Sequence, residues 1–171
     1  MTTDPQHELL DVVDDNNVII ATATRGEIHK KGLRHRACHI IVFNPSGQVY
    51  VQRRSLSKDN GAGLWDSSSA GHVDSGESYA DCAVREIEEE LGLTIAVSEL
   101  SENFLLVAHP DNGMEFAQVY SIITTKQPTP DAIEIMDSKW CEATELSAWM
   151  EKSPEEFTAV FIDIWRRLQS S

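Results

Sequence analysis

"GHVDSGESYADCAVREIEEELGL", residues 71–93, carries glutamates at positions 86, 88, 89 and 90. The stretch predicts a helix that starts near Ser78 and stops at Gly92. Ser78, with Asp81 three residues on, has the form of an N-terminal cap, and glycine commonly ends a helix. At about 100° per residue, Glu86, Glu89 and Glu90 fall within about a 100° arc. Ala83, Ile87 and Leu91 form a neighbouring apolar arc that can pack on a sheet. Glu88 points away and is expected to be solvated. Like charges one turn apart repel by a few tenths of a kcal/mol per pair, and carboxylates that converge without a cation have their pKa values pushed up. A hard divalent cation removes that cost, because Mg²⁺ prefers oxygen ligands. Acidic runs more often form a solvated helix face and nothing else, so the surrounding sequence has to decide.

The chain has 171 residues, 41% hydrophobic and 25% charged, with a formal net charge of −14. That length suits one domain with a real core. The acidic balance argues against a nucleic-acid or anionic membrane surface, so an anionic substrate has to be met by local cations or metal. The three cysteines, Cys38, Cys82 and Cys141, lack CxxC spacing, which predicts reduced thiols and a cytoplasmic protein. The start, "MTTDPQHELLDVV", has no signal-peptide pattern, and no apolar run approaches membrane-spanning length.

Strand and helix patterns alternate along the chain. "ELLDVV" and "NVIIATA" predict two strands, and Thr24 with Glu27 predicts the cap of a short helix to about Lys31. "CHIIVFN" and "QVYVQRR" predict strands joined by the turn "NPSG". "DSSSAGH" reads as a short strand, and "NFLLVAH", "EFAQVYSIIT" and "IEIMDSKW" as three more. A short helix is expected from Thr144 to about Lys152. Ser153-Pro154 with Glu156 predicts the start of a last helix, whose apolar stripe is Phe157, Val160, Phe161, Ile164 and Leu168. Trp149 and Trp165 read as packing residues, and Pro110 as a turn residue.

The pattern from Gly71 is specific: five residues, Glu77, seven residues, Arg85-Glu86-Ile87, one residue, Glu89-Glu90, one residue, Gly92-Leu93. It matches every defined position of the Nudix box, and the chain resembles a Nudix hydrolase. The order of elements resembles the family over roughly the whole chain. The resemblance implies an α/β (α+β) fold, a mixed sheet sandwiched between helices, in a single domain over 1–171. The N-terminal hairpin and short helix would occupy 1–34, the box 71–93, and the C-terminal helix about 154–169. Glu86, Glu89 and Glu90 would carry Mg²⁺ or Mn²⁺, with the carbonyl of Ala70 as a further ligand. Glu77 would pair with Arg85 and hold the loop against the helix, while Gly71 and Gly76 would permit close turns. The implied chemistry is hydrolysis of a small-molecule diphosphate linked to an organic group. Glu86 and Glu115 are the candidates for the base; the plain alternative for Glu115 is an exposed acid at a loop end.

"RHRACHIIVFN", "VQRRSLSKDNGAGLWDSSSAGH" and "DVVDDNNVIIATATRGEIHKKGL" further resemble the Nudix proteins closest to isopentenyl diphosphate isomerase. That likeness implies that Arg54 and Lys58 clamp a diphosphate, the alternative being two ordinary surface bases. It also implies a second metal site at His35, His72 and Glu115, with His29 nearby but not cleanly aligned. The isomerase has its catalytic cysteine immediately before the Gly-His pair, where this chain has Ala70. That departure, with the complete box, favours hydrolysis over two alternatives: an isomerase-like enzyme and a Nudix domain that senses a ligand without turnover. The substrate stays open between a nucleotide derivative and an isoprenoid diphosphate, and a homodimer stays open as the assembly.

Overall fold

The computed structural model describes Thr2 and residues 4–171. Strands β1 (Leu9–Val13) and β2 (Ile19–Thr24) form an antiparallel hairpin. Helix α1 (Arg25–Lys31) follows directly, its start capped by the Thr24 hydroxyl on the Glu27 N–H and its end turned by left-handed Gly32. The other strands are β3 (His35–Phe43), β4 (Val49–Arg54), β5 (Trp65–Asp66), β6 (Ser69–His72), β7 (Ser101–Leu106), β8 (Glu115–Ile123) and β9 (Ile135–Cys141). They form one seven-stranded mixed sheet with the path β5-β4-β3-β8-β7, β6 pairing with β3 and β9 with β4. Only β3 and β8 run parallel among these pairs.

Strand alternation sends successive side chains to opposite faces. On one face, Ile41, Val49, Val51 and Val119 pack under α3 (Ala143–Lys152) and α4 (Ala159–Ser170), with Leu146, Met150, Phe161, Ile164 and Trp165. On the other face, Cys38, Ile40, Val42 and Tyr120 meet Cys82, Ala83, Ile87 and Leu91 of α2 (Tyr79–Leu91). The α2 helix begins at the expected Ser78 cap and ends at left-handed Gly92. The fold is thus the helix-flanked mixed sheet expected, and Trp165 is core while Trp149 stacks on Trp65 and Phe157.

The last helix starts later than the Ser153-Pro154 pattern predicts. Pro154–Glu156 is a single 3-10 turn, and Phe157 returns to an extended conformation. Tertiary contacts override the local signal. Phe157 buries its ring, and the Thr158 N–H donates to the Trp65 carbonyl at 2.9 Å. The Thr158 hydroxyl donates to Asp66 at 3.0 Å and also accepts from the Phe161 N–H, so Thr158 becomes the true cap.

Candidate active site

Sheet register assembles the site. Parallel pairing sets His35 opposite Glu115 at the start of β3 and β8, and antiparallel pairing sets Ala37 opposite His72 and His39 opposite Ala70. Helix α2 crosses below β6, bringing its glutamates against the same strand. Together these elements border a cavity of about 870 Å³ whose lining includes Ala70, His72, Glu86, Glu89, Glu90 and Glu115. Arg54, Lys58, Arg85 and His29 line it as well. Glu77 and His35 are not in its lining, but each contacts a residue that is: Glu77 pairs with Arg85, and His35 Nε2 is 3.5 Å from Glu115.

Glu86, Glu89 and Glu90 do not project together as helix phase alone suggests. Glu90 turns inward and is buried: Ser69 Oγ and the Ala70 N–H donate to Oε1 at 2.9 and 3.0 Å, and Gln52 Nε2 donates to Oε2 at 2.9 Å. Glu86 lies along the cavity floor, where Arg85 Nη1 donates to it at 2.7 Å. Glu89 turns outward, with 59% of its side chain exposed. Burial pushes the Glu90 carboxyl up to about 7, against the pull of its hydrogen bonds. Burial, with Glu90 and Glu89 nearby, pushes Glu86 well above the usual carboxylate range. A buried and a half-buried carboxyl, both held above their ordinary values, form a site that a cation would relieve.

Arg85 takes the expected place. It donates to Glu77 through Nε at 2.8 Å and Nη2 at 2.9 Å, and to the His72 carbonyl at 3.0 Å. Burial alone would raise the Glu77 carboxyl, but this fork holds it below its ordinary value. Gly71 is not the turn expected. It lies within β6, and a Cβ added there would stand 2.1 Å from Glu86 Cδ. Close approach of Glu86, not backbone freedom, is what excludes a side chain. Gly76, at φ 81°, does make a turn.

The histidines converge more tightly than the glutamates. His29, His35 and His72 can each bring one ring nitrogen within 4.8 Å of the others. Glu115 Oε1 is 3.2 Å from His72 Nε2 and 3.5 Å from His35 Nε2. His29, which aligned poorly in the sequence, belongs here because α1 buries Ile28 beside Leu10 and Val12 and turns the next residue into the cavity. His35 Nδ1 lies 2.9 Å from the Leu33 carbonyl. A carbonyl only accepts, so Nδ1 carries the proton and Nε2 presents a lone pair. That Nε2 is buried without a hydrogen-bond partner. Burial lowers His72 to about 4 despite Glu115. Burial raises Glu115, but the His35 and His72 contacts win and hold it well below its ordinary value. His29 and His72 rings that burial keeps neutral, one ionised carboxylate and the orphaned His35 nitrogen fit a divalent cation.

Arg54 and Lys58 reach the cavity but are not free surface bases. Lys58 Nζ meets Asp4 Oδ1 and Glu134 Oε2, each at 2.5 Å. Arg54 Nε donates to the Asn60 carbonyl at 2.9 Å, with Nη1 3.5 Å from Asp66. Asp4, Glu8 and Arg25 also border the cavity and were not foreseen. Asp4 and Glu8 come from a segment with no motif spacing, and Arg25 from a stretch whose resemblance gave it no role, so only folding shows them. Cys82 is a buried core residue, its Sγ 3.0 Å from that of Cys38.

Residues 33–161 match the NUDIX domain model, and the chain belongs to the Nudix family. It is 31% identical to isopentenyl-diphosphate Delta-isomerase 2 of Photorhabdus laumondii, over 94% of this chain and 98% of that one. It is 33% identical to an uncharacterised Nudix hydrolase of Nostoc sp., over 85% and 86% of the two chains. Among solved structures, DR0079 from Deinococcus radiodurans superposes with a TM-score of 0.80 at 26% identity, covering 94% of this chain and 98% of that one. Nudix proteins generally use divalent metals and act on small-molecule phosphate compounds. Among the described residues, no helix is long and apolar enough to cross a membrane.

Proposed function

We propose that the chain, as a single domain over 1–171, is a divalent-metal-dependent hydrolase that cleaves a diphosphate linked to an organic group. The observation that carries this reading is the pair Glu86 and Glu90, half-buried and buried in the cavity wall, with raised carboxyls within the complete box. Glu86, Glu89, Glu90 and the Ala70 carbonyl would hold Mg²⁺ or Mn²⁺. A bound cation of this kind neutralises phosphate oxygens and lowers the pKa of water. His29, His35, His72 and Glu115 would hold a second cation.

The chain's own groups divide the remaining work. A proton acceptor works best with a pKa near the working pH. Glu86 is raised and Glu115 lowered, so Glu86 suits the base and Glu115 a permanently ionised ligand. Arg54 and Lys58 supply counter-charge for a diphosphate, and Lys58 would exchange a carboxylate partner for a phosphate oxygen. Arg85 positions Glu86 and, through Glu77, the loop.

A second reading, isomerisation of isopentenyl diphosphate, is favoured by relatives of that name and by the histidine cluster. It needs proton donors and acceptors on both sides of an alkene. Ala70, at the place of the isomerase's cysteine, offers only a methyl group. The test is a panel of nucleoside and isoprenoid diphosphates with Mg²⁺ or Mn²⁺, reading phosphate or nucleotide release. Release from at least one compound, abolished by chelator, is expected. No release, together with deuterium uptake from D₂O into isopentenyl diphosphate that Glu115→Gln abolishes, would return the isomerase reading.

A further inference from the structure

Beside the histidine cluster, three more buried atoms have no hydrogen-bond partner: His72 Nδ1, Glu8 Oε2 and Asp74 Oδ1. Their places are set by backbone pairing. The Arg25 N–H donates to the Glu8 carbonyl at 2.8 Å, and the Ser75 N–H to the Leu9 carbonyl at 3.0 Å. Leu10 bridges Asp74. The result holds Glu8 against the edge of His72 that faces away from Glu115. His72 thus presents Nε2 to Glu115 at 3.2 Å and Nδ1 to Glu8 Oε2 at 4.0 Å. Arg25 Nη1 lies 3.5 Å from Glu8 Oε2, although burial and Asp74 still push the Glu8 carboxyl up to about 7.

His35 shows what the cluster requires of a ring. Its Nδ1 proton is given to a carbonyl, and its Nε2 lone pair is left for the cluster. An imidazole that binds a cation through one nitrogen carries a proton on the other, and that proton needs an acceptor. For His72 the unpartnered acceptor facing Nδ1 is Glu8 Oε2. A separation of 4.0 Å is about an ångström beyond a hydrogen bond. Without a cation, an Nε2–H donates to Glu115 at 3.2 Å; a cation on Nε2 displaces that proton to Nδ1, where Glu8 Oε2 is the acceptor it meets.

We propose that Glu8 is a positioning residue: it accepts the Nδ1–H of His72 and so turns the Nε2 lone pair toward His29, His35 and Glu115. Glu8 does for His72 what the Leu33 carbonyl does for His35. The N-terminal segment is thereby part of the cation site, although it supplies no ligand. This inference rests on reading the histidine cluster as a cation site.

Co²⁺ titrated into the metal-free full chain, followed by visible absorption and calorimetry, reads histidine coordination without turnover. A band lost in His35→Ala assigns it to the cluster. Glu8→Ala is expected to weaken that binding about 10–100-fold, the range for loss of an outer partner of a ligating histidine. Glu8→Gln, whose carboxamide oxygen still accepts, should recover most of it and keeps the side-chain volume if Glu8→Ala folds poorly. Unchanged affinity in Glu8→Ala, with the band still lost in His35→Ala, would overturn the role of Glu8 and leave the cluster standing. Equal weakening in Glu8→Gln and Glu8→Ala would show that charge matters rather than acceptance, and would overturn the role too. No His35-dependent band in the unmodified chain would overturn the cluster reading and this inference together.

Discussion

The glutamate cluster and the histidine cluster border the same cavity, yet they are assembled in different ways. Glu86, Glu89 and Glu90 come from one helix, and two other elements decide only how far Glu90 turns inward: Gln52 on β4, and Ser69 and Ala70 on β6, draw it under the sheet. His29, His35, His72 and Glu115 come from α1, β3, β6 and β8: sheet register brings the last three together, and the packing of α1 adds His29. The electrostatics differ as well. The glutamate side stores like charge, with carboxyls pushed up by burial, while the histidine side pairs an ionised Glu115 with a His72 ring that burial keeps neutral. Without a cation, the first cluster is strained by its own charge and the second by an unused lone pair. A cation would relieve each, of harder character on the glutamate side and more nitrogen-loving on the other.

The largest expected effect tests the glutamate side. Glu86→Gln removes a charge at the cavity floor and should lower turnover on the order of 10²-fold or more, as misplacement of reacting groups does. Gly71→Ala should do comparable damage without touching a carboxylate, because its methyl would collide with Glu86. Steady-state kinetics of both variants on whichever compound the panel selects would check this. Full turnover in Gly71→Ala would mean that Glu86 need not lie where the structure has it. His35→Ala, by contrast, should leave the α2 carboxylates in place, so a different metal dependence from Glu86→Gln would sharpen the division between the clusters.

The difference in construction also explains what could be read from sequence. The glutamate helix was legible because cap, apolar arc and stop are local, and because Glu77 and Arg85 sit at fixed spacing. What helix phase could not supply was the inward turn of Glu90, which depends on partners from distant strands. His35, His72 and Glu115 were legible only through resemblance. His29 was seen but not placed, since its direction follows from the burial of Ile28 rather than from any spacing. Glu8 and Asp4 carried no signal, because their partners lie across the chain. The false start at Ser153-Pro154 has the same origin: a good local cap lost to Thr158, which bonds β5 and caps α4 at once.

Stability against pH separates the clusters by sign. Glu90, raised from 4.5 to about 7, binds its proton more tightly folded than unfolded. Its stability contribution is therefore full below the unfolded value and is lost as pH rises through about 7. In chelator, the loss attributable to Glu90 between about pH 5 and 8 should be on the order of 2–3 kcal/mol. For a chain of this size that is about 5–10 °C in Tm. His72, lowered from 6.5 to about 4, acts oppositely: its contribution is lost as pH falls through that interval. Comparing thermal melts of the unmodified chain with Glu90→Gln cancels the His72 part. The alkaline loss should shrink in Glu90→Gln, and also in the unmodified chain when Mg²⁺ is present. Equal slopes in both proteins would show that Glu90 ionises freely and needs no cation.

The smallest expected effect marks where the glutamate cluster ends. Glu88 shares the acidic run but lies on the exposed side of α2, and among the described residues its side chain has no hydrogen bond or ion pair. Its backbone carbonyl accepts from the Gly92 N–H at 2.9 Å, a bond that a side-chain substitution leaves intact. Glutamine has nearly the same helix propensity as glutamate, so Glu88→Gln should change stability by less than about 0.5 kcal/mol. Turnover should stay within about twofold, since an exposed charge is screened by solvent and salt before it reaches the cavity. Glu89→Gln, one residue on and also outward-facing, is the informative neighbour, because Arg85 Nη1 reaches it at 3.3 Å on the cavity side. Kinetics of the two single variants side by side should show a marked loss for Glu89→Gln alone. Matching losses would extend the working carboxylates around the helix and dissolve the boundary between site and solvated face. Matching silence would confine the glutamate cluster to Glu86 and Glu90, the two whose carboxyls the fold turns away from solvent.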